Sequence, residues 1–177
     1  MTGALFLLIH AFSTVNRNLL YAIAGLSLVA FHYVHSQRFD LKLKPVDMSF
    51  TATDGTQVDL SQMRGKVVLI DFWATWCPGC MQEAPHVVEA YNALHDKGLE
   101  VVGVSLDMDK SQMEAVTRQR GMVWPEYFDG KGWGNAAAVH FGVHSIPALW
   151  LLDKNGKLVD MDGREELQGK VEKLLAE

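Results

Sequence analysis

Charged and apolar positions are unevenly distributed along this chain, and their spacing changes character between segments. Met1 to Asn16 and Asn18 to Gln37 contain no Asp, Glu, Lys or Arg, and Arg17 is the single charge between them. Leu19 to Phe31 is apolar on every side, the pattern of a lipid-facing helix rather than one that packs by a single stripe. A membrane span needs about 20 residues, and this stretch reaches that length if His32 to His35 lie in the interface, with Tyr21 and Tyr33 as aromatic anchors. The same residues also read as a secretory signal with Arg17 in its basic region and Val34-His35-Ser36 as its cleavage site. That site lacks alanine, so an uncleaved anchor is the better reading.

Further on, the pattern becomes that of a folded domain. Met48 to Ala52 alternates, turns at Asp54-Gly55 and resumes from Thr56 to Leu60, which predicts a hairpin. Val67 to Trp73 is a continuous apolar run of strand length, expected for a strand covered on both faces. Cys80, Ala84, Val87, Tyr91 and Leu94 then recur at helical spacing, Gly98 supplies a stop, and Pro85 is expected to kink the helix. A second buried strand is predicted from Glu100 to Leu106 and a helix from about Ser111 to Arg120. Ala148 to Leu152 and Lys157 to Met161 flank the turn pair Asn155-Gly156, and a last helix runs from Arg164 to Ala176. Strand, helix, strand, helix, hairpin and closing helix describe an α/β architecture.

Charge marks the boundary between the two parts. Residues 1–47 carry four basic and two acidic side chains, whereas residues 48–177 carry twelve and nineteen, a net of −7. The chain therefore divides into an apolar membrane anchor or signal segment over 1–38, a tether over 39–47 and a domain over 48–177. The mean hydropathy of +0.03 averages over these unlike parts. The acidic domain lacks the basic face that neutralises phosphates, so nucleic acid is not an expected partner. Two cysteines in 177 residues exclude a disulfide-stapled scaffold and an all-cysteine structural zinc site.

Those two cysteines lie in Asp71-Phe72-Trp73-Ala74-Thr75-Trp76-Cys77-Pro78-Gly79-Cys80, where the buried strand ends and the helix begins. A thiolate, not a thiol, attacks a disulfide, and a helix N-terminus offers unpaired amides and partial positive charge that favour the anion. Cys77 holds that place. Lowering a thiol from about 8.5 to about 7 is worth about 2 kcal/mol and raises the thiolate at neutral pH from a few per cent to about half. Cys80, one turn inside, would meet a mixed disulfide from behind. Two carboxylates are placed to take its proton: Asp71 on the strand beneath, where an unpaired buried carboxylate is costly, and Glu83 one turn beyond Cys80. Glu83 also reads as an ordinary acid complementing the helix dipole.

With Met81-Gln82-Glu83-Ala84-Pro85 following, the stretch resembles the TlpA/ResA-like branch of the thioredoxin superfamily, membrane-tethered thiol–disulfide oxidoreductases, over about residues 48–175. The resemblance implies a thioredoxin-like fold, a central mixed sheet flanked by helices with an N-terminal β-hairpin. It implies a redox disulfide between Cys77 and Cys80 and a cis-proline loop at Ile146-Pro147 that pairs with substrate. Trp76 and Pro78 would rim Cys77. Ala148 departs from the threonine common after that proline, and many members have a neutral residue where this chain has Asp71. The residues from Gly121 to Phe128 and the glycine-rich Asp129 to Gly134 look like the loop that this branch inserts before its last strand pair. The implied role is a reductant of disulfide-containing proteins outside the cytoplasm, often apocytochrome c, working as a monomer without cofactor or metal and recharged by a membrane dithiol carrier of the CcdA/DsbD type. Arg38, Lys42 and Lys44 after the span outnumber Arg17 before it, and the positive-inside rule taken alone would put the domain in the cytoplasm.

Other chemistries fit less well. His140 and His144 would complete a two-Cys, two-His metal set only across a gap far longer than in zinc fingers. A copper chaperone of the Sco type would space its cysteines by three residues, and covalent haem would need histidine where Met81 stands. Peroxiredoxin chemistry would want proline and a hydroxyl at Ile70 and Ala74. A non-catalytic anchored binding module remains as the alternative outside enzymes.

Overall fold

A computed structural model describes residues 19, 21–30 and 44–177. The chain divides into two units, Met1–Asp40 and Leu41–Glu177. In the first, residues 19 and 21–30 are helical, with Leu19, Tyr21, Ile23, Leu26, Leu28 and Val29 exposed and the Ser27 hydroxyl donating to the Ile23 carbonyl at 2.8 Å. No helix among the described residues is long and apolar enough to cross a membrane. The rest of the predicted span, including Arg17, Phe31 to His35 and the tether residues before Lys44, lies outside the described residues.

The second unit is built on a five-stranded sheet. The strands are β3 (Val67–Trp73), β4 (Leu99–Ser105), β5 (Glu126–Phe128), β6 (Ala148–Leu152) and β7 (Leu158–Asp160), in the order β5-β4-β3-β6-β7. β3, β4 and β5 run parallel, while β6 and β7 are antiparallel to their neighbours, so the sheet is mixed. All seven residues of β3 are buried, as its unbroken apolar run requires of a strand covered on both faces. A separate antiparallel pair, β1 (Ser49–Thr51) and β2 (Gln57–Asp59), precedes it, with Phe50 packed edge-on against Tyr127 at 5.2 Å. The loop of this pair lies along the open edge of β5, where the Thr53 amide donates to the Glu126 carbonyl.

Ahead of β1, the segment from Lys44 is part of the fold. Pro45 bridges to Lys157, the Val46 amide donates to the Gly156 carbonyl at 2.8 Å, and the Val46 side chain is buried. The strap is thus fastened to the turn between β6 and β7.

Four helices complete the unit: α1 (Pro78–Leu94), α2 (Lys110–Arg120), α3 (Ala136–Phe141) and α4 (Leu167–Ala176). α1 packs against α2, α4 and β4, and α4 also covers β3. α1 buries Cys80, Ala84, Val87, Ala90 and Leu94, the predicted stripe, and ends through a 3-10 turn at Gly98, whose φ of 113° only glycine adopts readily. The helix runs without interruption through Pro85. A proline removes the amide that would bond the carbonyl four residues earlier. Here that carbonyl, on Met81, accepts instead from the Arg120 guanidinium at 3.2 Å, and Pro85 itself is exposed.

The segment expected to be an inserted loop is more ordered than its sequence suggests. Within it, Glu126–Phe128 is the edge strand of the main sheet, paired with Gly103–Ser105; just beyond it, Ala136–Phe141 is a helix capped by Asn135, whose Oδ1 accepts from the Ala137 and Ala138 amides. Pro125 ahead of the strand and glycines at 130, 132 and 134 obscure these short elements. Trp124 is buried beside them.

Candidate active site

The site forms where β3 hands over to α1. Cys77 is the N-cap of α1 in extended conformation, and Pro78 takes the first helical position, which suits a residue without an amide hydrogen. Cys77 Sγ accepts from the Cys80 amide at 3.1 Å and is bonded to Cys80 Sγ at 2.17 Å. Both cysteines are buried, Cys80 more deeply.

The turn that delivers Cys77 is held by a residue the sequence reading passed over. Asp107, just beyond β4 and 2 % exposed, accepts from the Thr75 amide at 3.1 and 3.0 Å, from the Thr75 hydroxyl at 2.7 Å and from the Ser105 hydroxyl at 2.9 Å. The Asn135 amide group donates in turn to the Ser105 carbonyl. These buried groups are satisfied, so the network fixes the loop rather than straining it.

Asp71 lies within β3, 4 % exposed. Burial, reinforced by the charge of Glu83, raises its carboxyl from the ordinary 3.8 to about 7. Glu83 is on α1, partly buried, with His86 Nδ1 3.3 Å from its Oε1. Glu83, one turn beyond Cys80 on α1, thus lies near enough for its charge to act on Asp71.

A third acid joins them. Glu126 is 5 % exposed, and its Oε2 accepts from the Trp73 indole at 3.0 Å. Burial pushes its carboxyl well above the usual range. The Trp73 hydrogen bond opposes that rise and the charge of Asp71 adds to it. Trp124 also turns its indole towards Glu126 and, like Trp73, opposes the rise, although Trp124 Nε1 and Glu126 Oε1 do not meet the geometry of a full hydrogen bond. A lone acid within Trp124-Pro125-Glu126-Tyr127-Phe128 carries the same signal that singles out Asp71. The strand that buries it was not recognised.

The Ile146–Pro147 peptide is cis, and both residues are half-buried. Pro147 lies against the spacer of the dithiol: a Cβ on Gly79 would come 3.2 Å from its Cδ, so glycine there permits the close approach. Trp76 is 49 % exposed and lies 6.0 Å, centroid to centroid, from Trp133, equally exposed, on the 3-10 turn Gly132–Gly134. Pro78 is exposed on the same turn as Trp76. Among the described residues, no group of three or more His, Cys, Asp and Glu is arranged to hold a metal ion, His140 and His144 included.

Comparison with known proteins converges on this geometry. The Redoxin family profile matches residues 41–176. Curated relatives include the thiol-disulfide oxidoreductase ResA of Bacillus thuringiensis, 26% identical over 154 residues that cover 85% of this chain and 87% of the relative. The ResA of Geobacillus kaustophilus is 29% identical, covering 77% and 81%. Among solved structures, the thioredoxin domain of a thiol-disulfide oxidoreductase from Bacteroides vulgatus superposes with a TM-score of 0.66 at 28% identity, covering 75% of this chain and 95% of that one. The thiol:disulfide interchange protein DsbE from Chlorobium tepidum gives the same four values. With a thioredoxin-like mixed sheet, a Cys-x-x-Cys disulfide at a helix N-terminus and these relatives, the chain belongs to the Redoxin family as a ResA-like thiol–disulfide oxidoreductase of the thioredoxin superfamily.

Proposed function

We propose that the protein reduces disulfides in partner proteins on the outer side of a membrane, to which its N-terminal apolar segment anchors it. The observation that carries the reductase reading is the Cys77–Cys80 disulfide at the start of α1, where β3 with its buried Asp71 ends. In this mechanism the Cys77 thiolate attacks a substrate disulfide. A Cys77–substrate bond forms, the substrate S–S bond breaks, and the released thiolate takes a proton from solvent. Cys80 then gives its proton to the Asp71 carboxylate and attacks Cys77 Sγ; the Cys77–substrate bond breaks, the second substrate sulfur leaves as a thiolate that takes a proton from solvent, the Cys77–Cys80 disulfide closes, and Asp71 returns its proton to solvent. Two electrons pass to the substrate.

Asp71 suits this task because a base holding protons with an affinity near the working pH accepts and returns them readily. Glu83 acts beside it by tuning Asp71 through its charge. Trp76, Pro78, Ile146 and Pro147 form the contact surface for the substrate chain around Cys77. The implied electron source is a membrane dithiol carrier of the CcdA/DsbD type, the implied substrates include apocytochrome c cysteines, and the working form is a monomer. Support for the anchor comes from the charge-free apolar sequence of residues 18–37.

Turnover of a disulfide substrate by the full chain tests the assignment. Cys77→Ser is expected to abolish reduction, and Cys80→Ser to trap a mixed disulfide between Cys77 and substrate. Full activity in Cys77→Ser refutes the mechanism. A reduction potential near the −270 mV of thioredoxin supports a reductant, and one near −120 mV an oxidant. Protease access to the domain in intact cells decides the membrane side: complete protection places it in the cytoplasm.

A further inference from the structure

The mechanism above leaves one buried acid unused. Asp71, Gly103 and Glu126 are register partners on three adjacent strands, Asp71 opposite Gly103 on β4 and Gly103 opposite Glu126 on β5. Side chains in register on parallel neighbours lie on one face of the sheet, about 4.8 Å apart per strand. Any side chain at position 103 would separate the two acids. Glycine leaves the space open, and Glu126 fills it: a Cβ built on Gly103 would overlap the Glu126 carboxyl, oxygens and carbon alike. The carboxyl therefore lies over the β4 backbone, one strand nearer Asp71 than its own Cα, and the Trp73 indole holds it there. Trp73 stands two residues beyond Asp71 on the same strand, hence on the same face.

We propose that Glu126 is a positioning residue for Asp71, a second acid seated across the bare backbone of Gly103 whose uncharged carboxyl supports the ionised form of Asp71. This rests on the reading of Asp71 as the acceptor of the Cys80 proton. An ionised Glu126 would set a second buried charge beside the Asp71 carboxylate with only the indole N–H groups of Trp73 and Trp124 to offset it, whereas a protonated one supplies a polar, neutral group in what would otherwise be apolar packing. The remaining titratable groups facing the pair are Glu83 from α1, whose charge acts on Asp71, and Asp107 from the segment after β4, whose charge acts on Glu126. On its other side, β6 faces Asp71 with Leu149. The pair thus alternates between one negative charge and none: Asp71 gains and loses the proton while Glu126 keeps its own.

The test is direct titration of the Asp71 carboxyl by 13C NMR in the reduced full chain, alongside the pH profile of disulfide turnover. Glu126→Met, of similar length but apolar, is expected to raise the Asp71 midpoint by about one unit and to move the acidic limb of turnover upward with it. Glu126→Gln, neutral and polar, is expected to hold the midpoint within about 0.3 unit of the wild type. Gly103→Ala keeps the acid but takes its seat, and is expected to shift Asp71 as Glu126→Met does; it serves also if Glu126→Met fails to fold. Unchanged midpoints in the Met and Ala variants overturn the proposal. A downward shift in Glu126→Gln overturns it as well, since it would mean that Glu126 is charged. Equal shifts with Met and Gln reduce Glu126 to packing and reject it too. Asp71→Asn separates this from the underlying mechanism: a turnover limb that survives there refutes Asp71 as acceptor, while the NMR midpoints still decide the role of Glu126.

Discussion

Asp71 shows how a single residue couples stability to chemistry. Its folded-state carboxyl titrates near 7 rather than 3.8, so the folded protein holds this proton more tightly than the unfolded chain does. The contribution to stability is therefore complete below about pH 4 and is lost as pH rises through 7, a span worth about 4 kcal/mol at most. Asp71→Asn is accordingly expected to unfold at higher denaturant concentration than the wild type at pH 8, with the advantage gone at pH 4. Its resolving step is expected to slow on the order of 10²-fold, visible as accumulating mixed disulfide. A variant no more stable at pH 8 than at pH 4, relative to wild type, would contradict the burial argument. Asp71 was legible in the sequence because an acid between Ile70 and Phe72 has no surface explanation. Glu126 likewise has apolar neighbours in sequence, but its seat over Gly103 of the adjacent strand depends on a register that no local pattern encodes. Asp107 escaped for a similar reason: Thr75, which its carboxylate holds, becomes its neighbour only when β3 and β4 pair.

At the level of elements, length decided what could be read. β3, β4, α1 and the β6–β7 hairpin follow from periodicity and turn residues because each presents enough positions to define a face. The three residues of β5 and the six of α3 do not, and both are held by long-range bonds: Thr53 to Glu126, and Asn135 to Ser105. Pro85 illustrates the opposite case, a local rule about the missing amide with a tertiary answer. The missing amide leaves the Met81 carbonyl open, and Arg120 from α2 supplies the donor. Arg120→Ala is expected to cost about 1 kcal/mol in chemical denaturation. In a Pro85→Ala background the restored helix bond makes the guanidinium redundant, and the same truncation should cost close to nothing. Additive effects in that double-mutant cycle would show that Arg120 acts elsewhere.

For the whole molecule, the strap from Lys44 to Asp47 matters as much as the helices. Val46 is buried and its amide is bonded to the β6–β7 turn, so Val46→Ala is expected to lower stability by about 1–2 kcal/mol while leaving the rate of disulfide turnover unchanged at temperatures where the variant is folded. A thermal melt beside a turnover assay checks both halves of that statement. The strap also sets a polarity. Leu152 pairs with Val68, so the turn that receives Pro45 and Val46 sits at the beginning of β3, whereas Cys77 follows its end. The strand's seven residues put about 20 Å between those poles. A load entering the second unit through the strap therefore meets the sheet at the β6–β7 turn, at the far end of β3 from the dithiol.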